Sequence, residues 1–216
     1  RDRPLGNLFI RDDWESGATE SFHYWARDAG WTYFAQAAGD VPIPRGRYVQ
    51  LILAREAALD LAPLATLRPD DLDSLWLSYG SSEDVQANDE DMEIITRLTG
   101  LRELHMGYSD VTDRGMRAIV RLKSLERLTL PTSVTNTGLG YVAQLRNLKG
   151  LYFRSPQGAR ITDAGMAPLA RLPKLDELLL FQCPVGGEGL EHLADSPSLK
   201  KLYLHMTRVT ISELNR

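Results

Sequence analysis

The amino-acid sequence predicts an α/β solenoid, a right-handed coil in which short parallel strands form one concave sheet and short helices lie on the convex side. Two observations support this prediction. A strand-like phrase, Leu-x-x-Leu-x-Leu or a close variant, recurs along most of the 216-residue chain. A phrase typical of a capped helix follows it in most units. Such internal repetition is typical of coiled architectures, because each unit can bury its apolar face only against its neighbours.

Six units share the strand phrase in register. They begin at Leu72, Leu101, Leu125, Leu148, Leu175 and Leu199, and successive starts differ by 29, 24, 23, 27 and 24 residues. Side chains alternate between the two faces of a strand, so the leucine-type positions of each phrase point to one side. We therefore expect six parallel strands whose leucines line a common core.

The helix phrase occurs as VTDRGM, VTNTGL and ITDAGM in three successive units. Asp113, Asn136 and Asp163 stand where a short polar side chain can accept the free backbone amides at the start of a helix. The apolar positions that follow predict the buried side of that helix. Each unit is therefore expected to be a strand, a turn and a short helix.

These phrases, together with Cys183 three residues after the last leucine of its strand, resemble the cysteine-containing, ribonuclease-inhibitor-like class of leucine-rich repeats. That class is known from F-box substrate receptors and from bacterial repeat proteins. The resemblance covers about residues 72 to 216, and it implies a solenoid that binds another macromolecule. The position that the class usually fills with Cys or Asn is occupied here by Gly80, Ser109, Ser133, Pro156, Cys183 and Thr207. Gly80 and Pro156 lack a side-chain donor, so we expect irregular turns there.

Two regions are predicted. Residues 1–47 do not follow the repeat and are expected to form a β-rich N-terminal cap, with an independent ligand-binding β domain as the alternative. Aromatic residues at strand-like spacing between Phe22 and Phe34 favour this prediction. The segment 39–53 predicts a strand, a turn at residues 44–46 and a second strand. Residues 48–216 are expected to form the repeat domain, with a degenerate first unit over 48–71 and a truncated last unit from 199.

Composition excludes several classes of function. The net charge of -4 and the pI near 5.6 do not provide the basic surface that nucleic-acid binding requires. The only cysteine, Cys183, excludes an intrachain disulfide and leaves the cellular compartment open. No apolar run approaches the roughly 18 residues of a membrane-spanning helix, so no membrane span is expected.

The reactive side chains do not form a pattern that predicts catalysis, a metal or a cofactor. His105 and His205 would lie four strands apart, on the order of 20 Å at about 4.8 Å per strand, and so cannot share a metal. Cys183 is explained as a buried turn residue. The acidic run 83–93 lacks the spacing of a calcium loop, and its residues 88–90 are expected to cap and complement the helix that follows. We therefore expect a non-enzymatic protein.

Function is expected on the concave face, where the strand positions between the leucines point outward. Aromatic residues with an arginine among them are typical of binding hot spots, and the stability of a solenoid does not require them there. The candidate partner-binding residues are Trp76, Tyr79, His105, Tyr108, Tyr152, Arg154, Leu179, Phe181, Tyr203 and His205. A protein partner is the favoured prediction. The alternatives are a sensor or structural segment of a larger multidomain protein and a carbohydrate-binding module whose aromatic rings stack on sugars.

The last unit has a strand and only the beginning of a helix. An uncovered terminal repeat exposes core leucines and a strand edge, and here Leu204 and Met206 would be left bare. We expect that the natural protein continues past Arg216 or that a second chain covers this edge, and we expect self-association through it.

Overall fold

The computed structural model describes residues 4–14, 31–38, 41–54, 60–77, 87–154 and 160–214. Within these residues nine strands form one sheet in the order β2-β1-β3-β4-β5-β6-β7-β8-β9. The strands are β1 (Gly6–Arg11), β2 (Thr32–Gln36), β3 (Tyr48–Leu53), β4 (Ser74–Trp76), β5 (Glu103–His105), β6 (Arg127–Thr129), β7 (Gly150–Arg154), β8 (Glu177–Phe181) and β9 (Lys201–His205). The sheet thus continues from the N-terminal region through every repeat unit.

The strands from β3 to β9 pair in parallel, each with the next along the chain. Their register places one leucine of each unit in a single row: Leu51, Leu75, Leu104, Leu128, Leu151, Leu178 and Leu202. The six strands β4 to β9 are those that the leucine phrase predicts. The expected fold class, a leucine-rich-repeat solenoid with a parallel sheet and short helices, is confirmed.

Short helices connect the strands. They are α1 (Met92–Ile95), α2 (Asp113–Met116), α3 (Asn136–Val142), α4 (Met166–Leu169), α5 (Gly187–Ala194) and α6 (Ile211–Leu214). Turns of 3₁₀ helix at Ala62–Thr66, Arg117–Arg121 and Asp163–Gly165 supplement them. Successive helices contact each other, as α3 contacts both α2 and α4. Each helix is short because only about half of a unit is left once the strand and its turns are formed.

The core lies between the sheet and the helices. Leu104, Leu128 and Leu151 from the strands, and Met116 and Leu139 from the helices, are completely buried. Each such side chain contributes about 1.5 to 3 kcal/mol by leaving water. Since every unit adds the same positions to the same row, the core extends along the solenoid with little change from β4 to β8.

Hydrogen bonds between units explain the Thr-Asp-x-Gly phrase. Asp113 lies at the start of α2, but its Oδ1 accepts the backbone N–H groups of Thr135 at 2.9 Å and Gly138 at 3.0 Å in the next unit. A Cβ on Gly138 would lie 2.5 Å from that same oxygen. A side chain is therefore excluded at this position, because the Asp113 carboxylate and Val134 Cγ1, which would also lie at 2.5 Å, occupy its place.

The same contact recurs along the helical side. The Asp or Asn oxygens and the following-unit residues that donate to them are Asp89 with Thr112 and Gly115, Asp113 with Thr135 and Gly138, Asn136 with Thr162, and Asp163 with Gly186 and Gly189. The expected acceptor role is thus present, but it serves the helix of the next unit. The side chains of Thr112 and Thr135 instead accept at the start of their own helices.

The acidic segment before α1 also differs from expectation. Asn88 accepts the backbone N–H of Glu90 at 2.8 Å, which is a local turn contact, and Glu90 pairs with Arg114. Asp89 caps the next unit. The N-cap residue of α1 is Asp91, whose side chain makes no capping hydrogen bond to that helix.

The N-terminal region joins the sheet in antiparallel fashion, because β1 pairs with both β2 and β3. The expected second strand of the segment 39–53 is β3, and the turn lies at residues 45–46, where Gly46 has a φ of 76°. The expected first strand does not form, since residues 41–44 are irregular. Pro42 and Pro44 have no N–H to donate to a sheet. Phe22, Tyr24 and Trp25 of the aromatic segment, and the turns that contain Gly80 and Pro156, lie outside the described residues.

Candidate functional site

The concave face is the side of the sheet opposite the helices, and its side chains stand in three columns. The first column holds Ser74, Glu103, Arg127, Gly150, Glu177 and Lys201. The central column holds Trp76, His105, Thr129, Tyr152, Leu179 and Tyr203. The third column holds Arg154, Phe181 and His205. The alternation predicted from the leucine phrase therefore places most of the candidate residues on one surface.

Six of the candidates lie on the adjacent strands β7, β8 and β9, and we call them the aromatic patch: Tyr152, Arg154, Leu179, Phe181, Tyr203 and His205. Adjacent strands are about 4.8 Å apart, so the patch is on the order of 10 Å wide. Apart from His205, which is exposed, these side chains are half-buried. Each of these half-buried side chains is partly covered by its neighbours on the adjacent strands and remains partly accessible to solvent.

The third column contains a stack of cationic and aromatic groups. The guanidinium of Arg154 lies 5.1 Å from the ring centre of Phe181, and its Nε donates to the side chain of Gln182 at 3.3 Å. His205 lies on the other side of Phe181, with 6.1 Å between ring centres. Stacking of a guanidinium on a ring fixes both groups without removing the charge. The patch thus has a positively charged rim.

Tyr152 is held more firmly than its neighbours. Its hydroxyl donates to the Glu177 carboxylate, and its ring lies over Gly150, where a Cβ would come within 2.6 Å of the hydroxyl oxygen. Burial, reinforced by the nearby negative charge of Glu177, raises the pKa of Tyr152. The missing side chain at Gly150 therefore makes room for a tyrosine that lies along the sheet.

The first column is a row of polar and charged groups. Gln50 donates to Ser74 at 3.1 Å, and Ser74 donates to Glu103 at 3.1 Å. Burial raises the pKa of both Glu103 and Glu177, while the positive charge of Arg127 opposes the shift at each carboxylate. Hydrogen bonds and opposite charges within the column thus compensate for the partial burial of these polar groups.

Trp76 and His105 form a separate stacked pair at the N-terminal end of the central column. Their ring centres are 4.6 Å apart and the planes are inclined by 17°. Burial lowers the pKa of His105 to about 4, so the imidazole is neutral at pH 7. The buried indole N–H of Trp76 has no hydrogen-bond acceptor in the part of the chain that the structure describes.

Of the remaining two candidates, Tyr108 does not lie on a strand of the sheet. Tyr108 is half-buried in the turn after β5, because that strand ends at His105. Tyr79 lies outside the described residues. At the N-terminal end of the concave face, the candidates that the structure brings together are therefore Trp76 and His105.

A contact that the sequence analysis does not predict joins the N-terminal region to the unit that begins at Leu125. The indole N–H of Trp14 donates to Glu126 at 3.2 Å, and the guanidinium of Arg102 lies 4.4 Å from the Trp14 ring centre. Burial opposes the charge of Glu126, yet hydrogen bonds from Lys149, Arg102 and Trp14 lower its pKa. Nothing in the spacing of the sequence relates position 14 to position 126.

Among the described residues, no group of three or more His, Cys, Asp or Glu side chains lies close enough to hold a metal ion. No helix in the described ranges has the length and apolar character needed to cross a membrane.

Known proteins resemble the chain through its repeats. A family model described as "Leucine Rich repeat" matches residues 98–120. The plant peptide hormone receptor RGFR1 in complex with RGF2 is 18% identical, with a TM-score of 0.41 over 65% of this chain and 22% of that chain. An internalin, inlF, from Listeria monocytogenes is 19% identical, with a TM-score of 0.31 over 72% of this chain and 61% of that chain. The chain thus spans less than two thirds of either structure. No curated protein matches significantly.

Proposed function

The chain is a leucine-rich-repeat solenoid, and we propose that it is a non-catalytic module that binds a protein partner on its concave face through the aromatic patch. The observation that carries this proposal is the concentration of large side chains on β7, β8 and β9 at positions that face away from the core. Aromatic residues and arginine dominate the energetics of protein interfaces, because they bury large areas with few rotatable bonds.

The patch has the composition of an interface centre. Leu179, Phe181 and Tyr203 supply apolar area, and Arg154 and His205 supply charge or hydrogen bonds at the edge. The contacts among these side chains hold them in place before a partner arrives, which lowers the entropy lost on binding. The patch is thus suited to a preformed surface of a folded protein or peptide.

The test is a double variant, Phe181→Ala with Tyr203→Ala. We expect capture of partners from an extract of the native source, quantified by mass spectrometry against an empty matrix, to fall at least about thirtyfold, which corresponds to a hot-spot loss of about 2 kcal/mol. Tyr152→Ala is less suitable, because it also removes the hydroxyl that donates a hydrogen bond to Glu177. Tyr152→Phe retains the ring and isolates that hydrogen bond.

Two controls remove side chains from the helical side. Tyr141→Ala removes a half-buried tyrosine on α3 whose hydroxyl accepts from Arg117, and Arg171→Ala removes an exposed charge. Both are expected to retain capture. Equal capture by the double variant and the parent, with both folded by circular dichroism, would show that the partner uses another surface.

Carbohydrate binding is less well supported than protein binding. Sugar recognition by aromatic residues needs an open ring face, and the faces of Trp76 and His105 are turned towards each other at 4.6 Å. The Phe181 ring lies beneath Arg154. Specific glycan-array binding that the double variant loses would reverse this preference.

We also assign the repeats to the cysteine-containing, ribonuclease-inhibitor-like class. Cys183 supports this assignment, since its side chain is 1% exposed and its thiol donates to the Phe181 carbonyl at 3.4 Å. Ser109 occupies the corresponding position of an earlier unit and is also buried.

A further inference from the structure

The end of the sheet at β9 is a surface distinct from the aromatic patch. Within the described residues, no strand pairs with the outer edge of β9. The preceding strand leucines, such as Leu175 and Leu178, are fully buried, whereas the equivalent Leu199 and Leu202 are half-exposed. A groove of about 570 Å³ lies beside them, lined also by Leu190 and Leu193 of α5 and by Glu213. The interior of the solenoid is therefore accessible at this end.

Charged residues that precede the strands form a row along the sheet, and this row ends at the β9 edge. The residue immediately before the first strand position alternates in sign from unit to unit: Asp73, Arg102, Glu126, Lys149, Asp176 and Lys200. Glu126 accepts from Arg102 at 2.6 Å on one side and from Lys149 at 2.7 Å on the other. Lys200 faces Asp176 at 3.9 Å. Each interior charge thus has an opposite charge in both neighbouring units.

The charged residues of the first column of the concave face also alternate in sign, although Gly150 interrupts the row and leaves Arg127 and Glu177 two strands apart. Around the gap at Gly150, the signs run negative at Glu103, positive at Arg127, negative at Glu177 and positive at Lys201. Both rows therefore end in a lysine at the β9 edge, where the Lys200 side chain is 76% exposed and Lys201 is also exposed. A further strand beside β9 would therefore continue both alternating rows if it carried a negative charge at each of the two positions.

The backbone at this edge is also arranged for another strand. The Asp176 carbonyl accepts the amides of both Lys200 and Lys201 at 2.9 Å, as the Asp73 carbonyl accepts those of Arg102 and Glu103. The carbonyl of Lys200 stands at the equivalent position of β9, the last strand of the sheet. Lys201 and His205 direct their peptide groups towards β8, so the alternation of a strand turns those of Leu202 and Leu204 outward.

We propose that the β9 edge binds an extended segment of another protein that adds to the sheet as a parallel tenth strand. The segment carries two adjacent acidic residues, which lie beside Lys200 and Lys201, followed by alternating apolar residues that cover Leu202 and Leu204. Addition of a strand to a sheet edge supplies backbone hydrogen bonds, and the side chains determine which segment is accepted.

A second copy of the chain fits this edge less well. The other edge of the sheet, β2, has the sequence TYFAQ, and β9 itself has KLYLH. Neither strand offers an acidic residue to the two lysines. The occupant is therefore expected to be a different segment, whose charge pattern resembles that of β8, where Asp176 and Glu177 precede alternating apolar positions.

The experiment uses the full chain and a fluorescent synthetic peptide with the core Leu-Asp-Glu-Leu-Thr-Leu-Thr and a neutral soluble tail. We expect saturable binding by anisotropy, weakened by salt, with slower hydrogen exchange of the Leu202 and Leu204 amides in NMR spectra. Lys200→Gln with Lys201→Gln should weaken binding about fivefold at low salt, the effect of two exposed charge pairs. Lys123→Gln with Lys174→Gln removes the same charge elsewhere and should leave it unchanged.

Three further outcomes decide the proposal. A peptide with Lys-Lys in place of Asp-Glu, and one whose backbone amides on the side facing β9 are N-methylated, should both bind at least about tenfold more weakly, because they lose the charge match or the strand pairing. Equal binding of either peptide, or no binding of the parent peptide, overturns the proposal. Light scattering that reveals a stable dimer which the peptide does not dissociate would identify a second copy as the occupant and would also overturn it.

Discussion

His105 shows how its position on the solenoid changes the chemistry of a single side chain. It occupies an outward strand position, yet stacking on Trp76 and burial lower its pKa to about 4. The unfolded chain binds a proton near pH 6.5, so it holds more protons than the folded chain between about pH 4 and 6.5. The contribution of the neutral imidazole to stability is therefore fully present above this window and is lost as the pH falls through it.

We expect His105→Phe, which retains an aromatic ring against Trp76, to remove this dependence. Between pH 7 and pH 5 the free energy of unfolding of the parent should fall by about 1 to 2 kcal/mol more than that of the variant. Urea unfolding at the two pH values measures the difference. His192→Gln, which removes an exposed histidine from α5, serves as the control and should behave like the parent. Parallel pH profiles for the parent and His105→Phe would contradict the assignment.

At the scale of elements, the short helices depend on contacts between units. The helix α3 has seven residues, and a helix of that length is not stable in isolation. Asp113 holds the amides at its start, and Gly138 gives that carboxylate its place. Packing against α2 and α4 then completes its burial.

Two glycines of α3 provide a matched pair for testing this dependence. A Cβ at Gly138 would meet the Asp113 oxygen and Val134 Cγ1, each at 2.5 Å, whereas nothing lies within 4 Å of a Cβ at Gly140. We expect Gly138→Ala to lower the free energy of unfolding by about 2 kcal/mol or more. Gly140→Ala should raise it by up to about 1 kcal/mol through helix propensity. Denaturant unfolding measures both, and similar values for the two variants would refute the role given to the Asp113 contact.

The whole molecule is stabilised by a contact that crosses several units. Trp14 follows β1, packs against Tyr48 with ring centres 5.6 Å apart, and donates to Glu126 just before β6. A solenoid otherwise has contacts only between neighbouring units, so its ends can open independently. This contact should therefore couple the N-terminal strands to the interior of the repeats.

Trp14→Ala is expected to destabilise the N-terminal end by about 2 kcal/mol, seen as faster hydrogen exchange in β1 and β3 than in β7. Trp14→Phe, which retains a ring and loses the hydrogen bond to Glu126, should have a smaller effect of about 1 kcal/mol. Tyr33→Ala removes an exposed aromatic residue from β2 and is the control. Unchanged exchange in β1 and β3 of Trp14→Ala would show that the contact does not hold the region in place.

The fold could be predicted from the sequence because burial repeats with a fixed period, and a leucine such as Leu128 has the same surroundings as Leu151. The concave columns followed from strand alternation. The contacts of particular polar groups did not follow, because Tyr152 lies over Gly150 and Trp14 reaches Glu126 through space that spacing does not describe. The alternating charges before the strands were visible in the aligned units, but their meaning depends on the lateral pairing that only the structure gives.

That alternation gives the row of charges before the strands a period of two units. Loss or duplication of a single unit between Asp73 and Lys200 would place like charges side by side in this row, whereas loss or duplication of two adjacent units would preserve its pairings. Like charges on directly neighbouring strands are unfavourable, and opposite charges are favourable. An array of this kind is therefore expected to grow or shrink in pairs during its evolution, and the same parity rule applies to a designed extension of the chain.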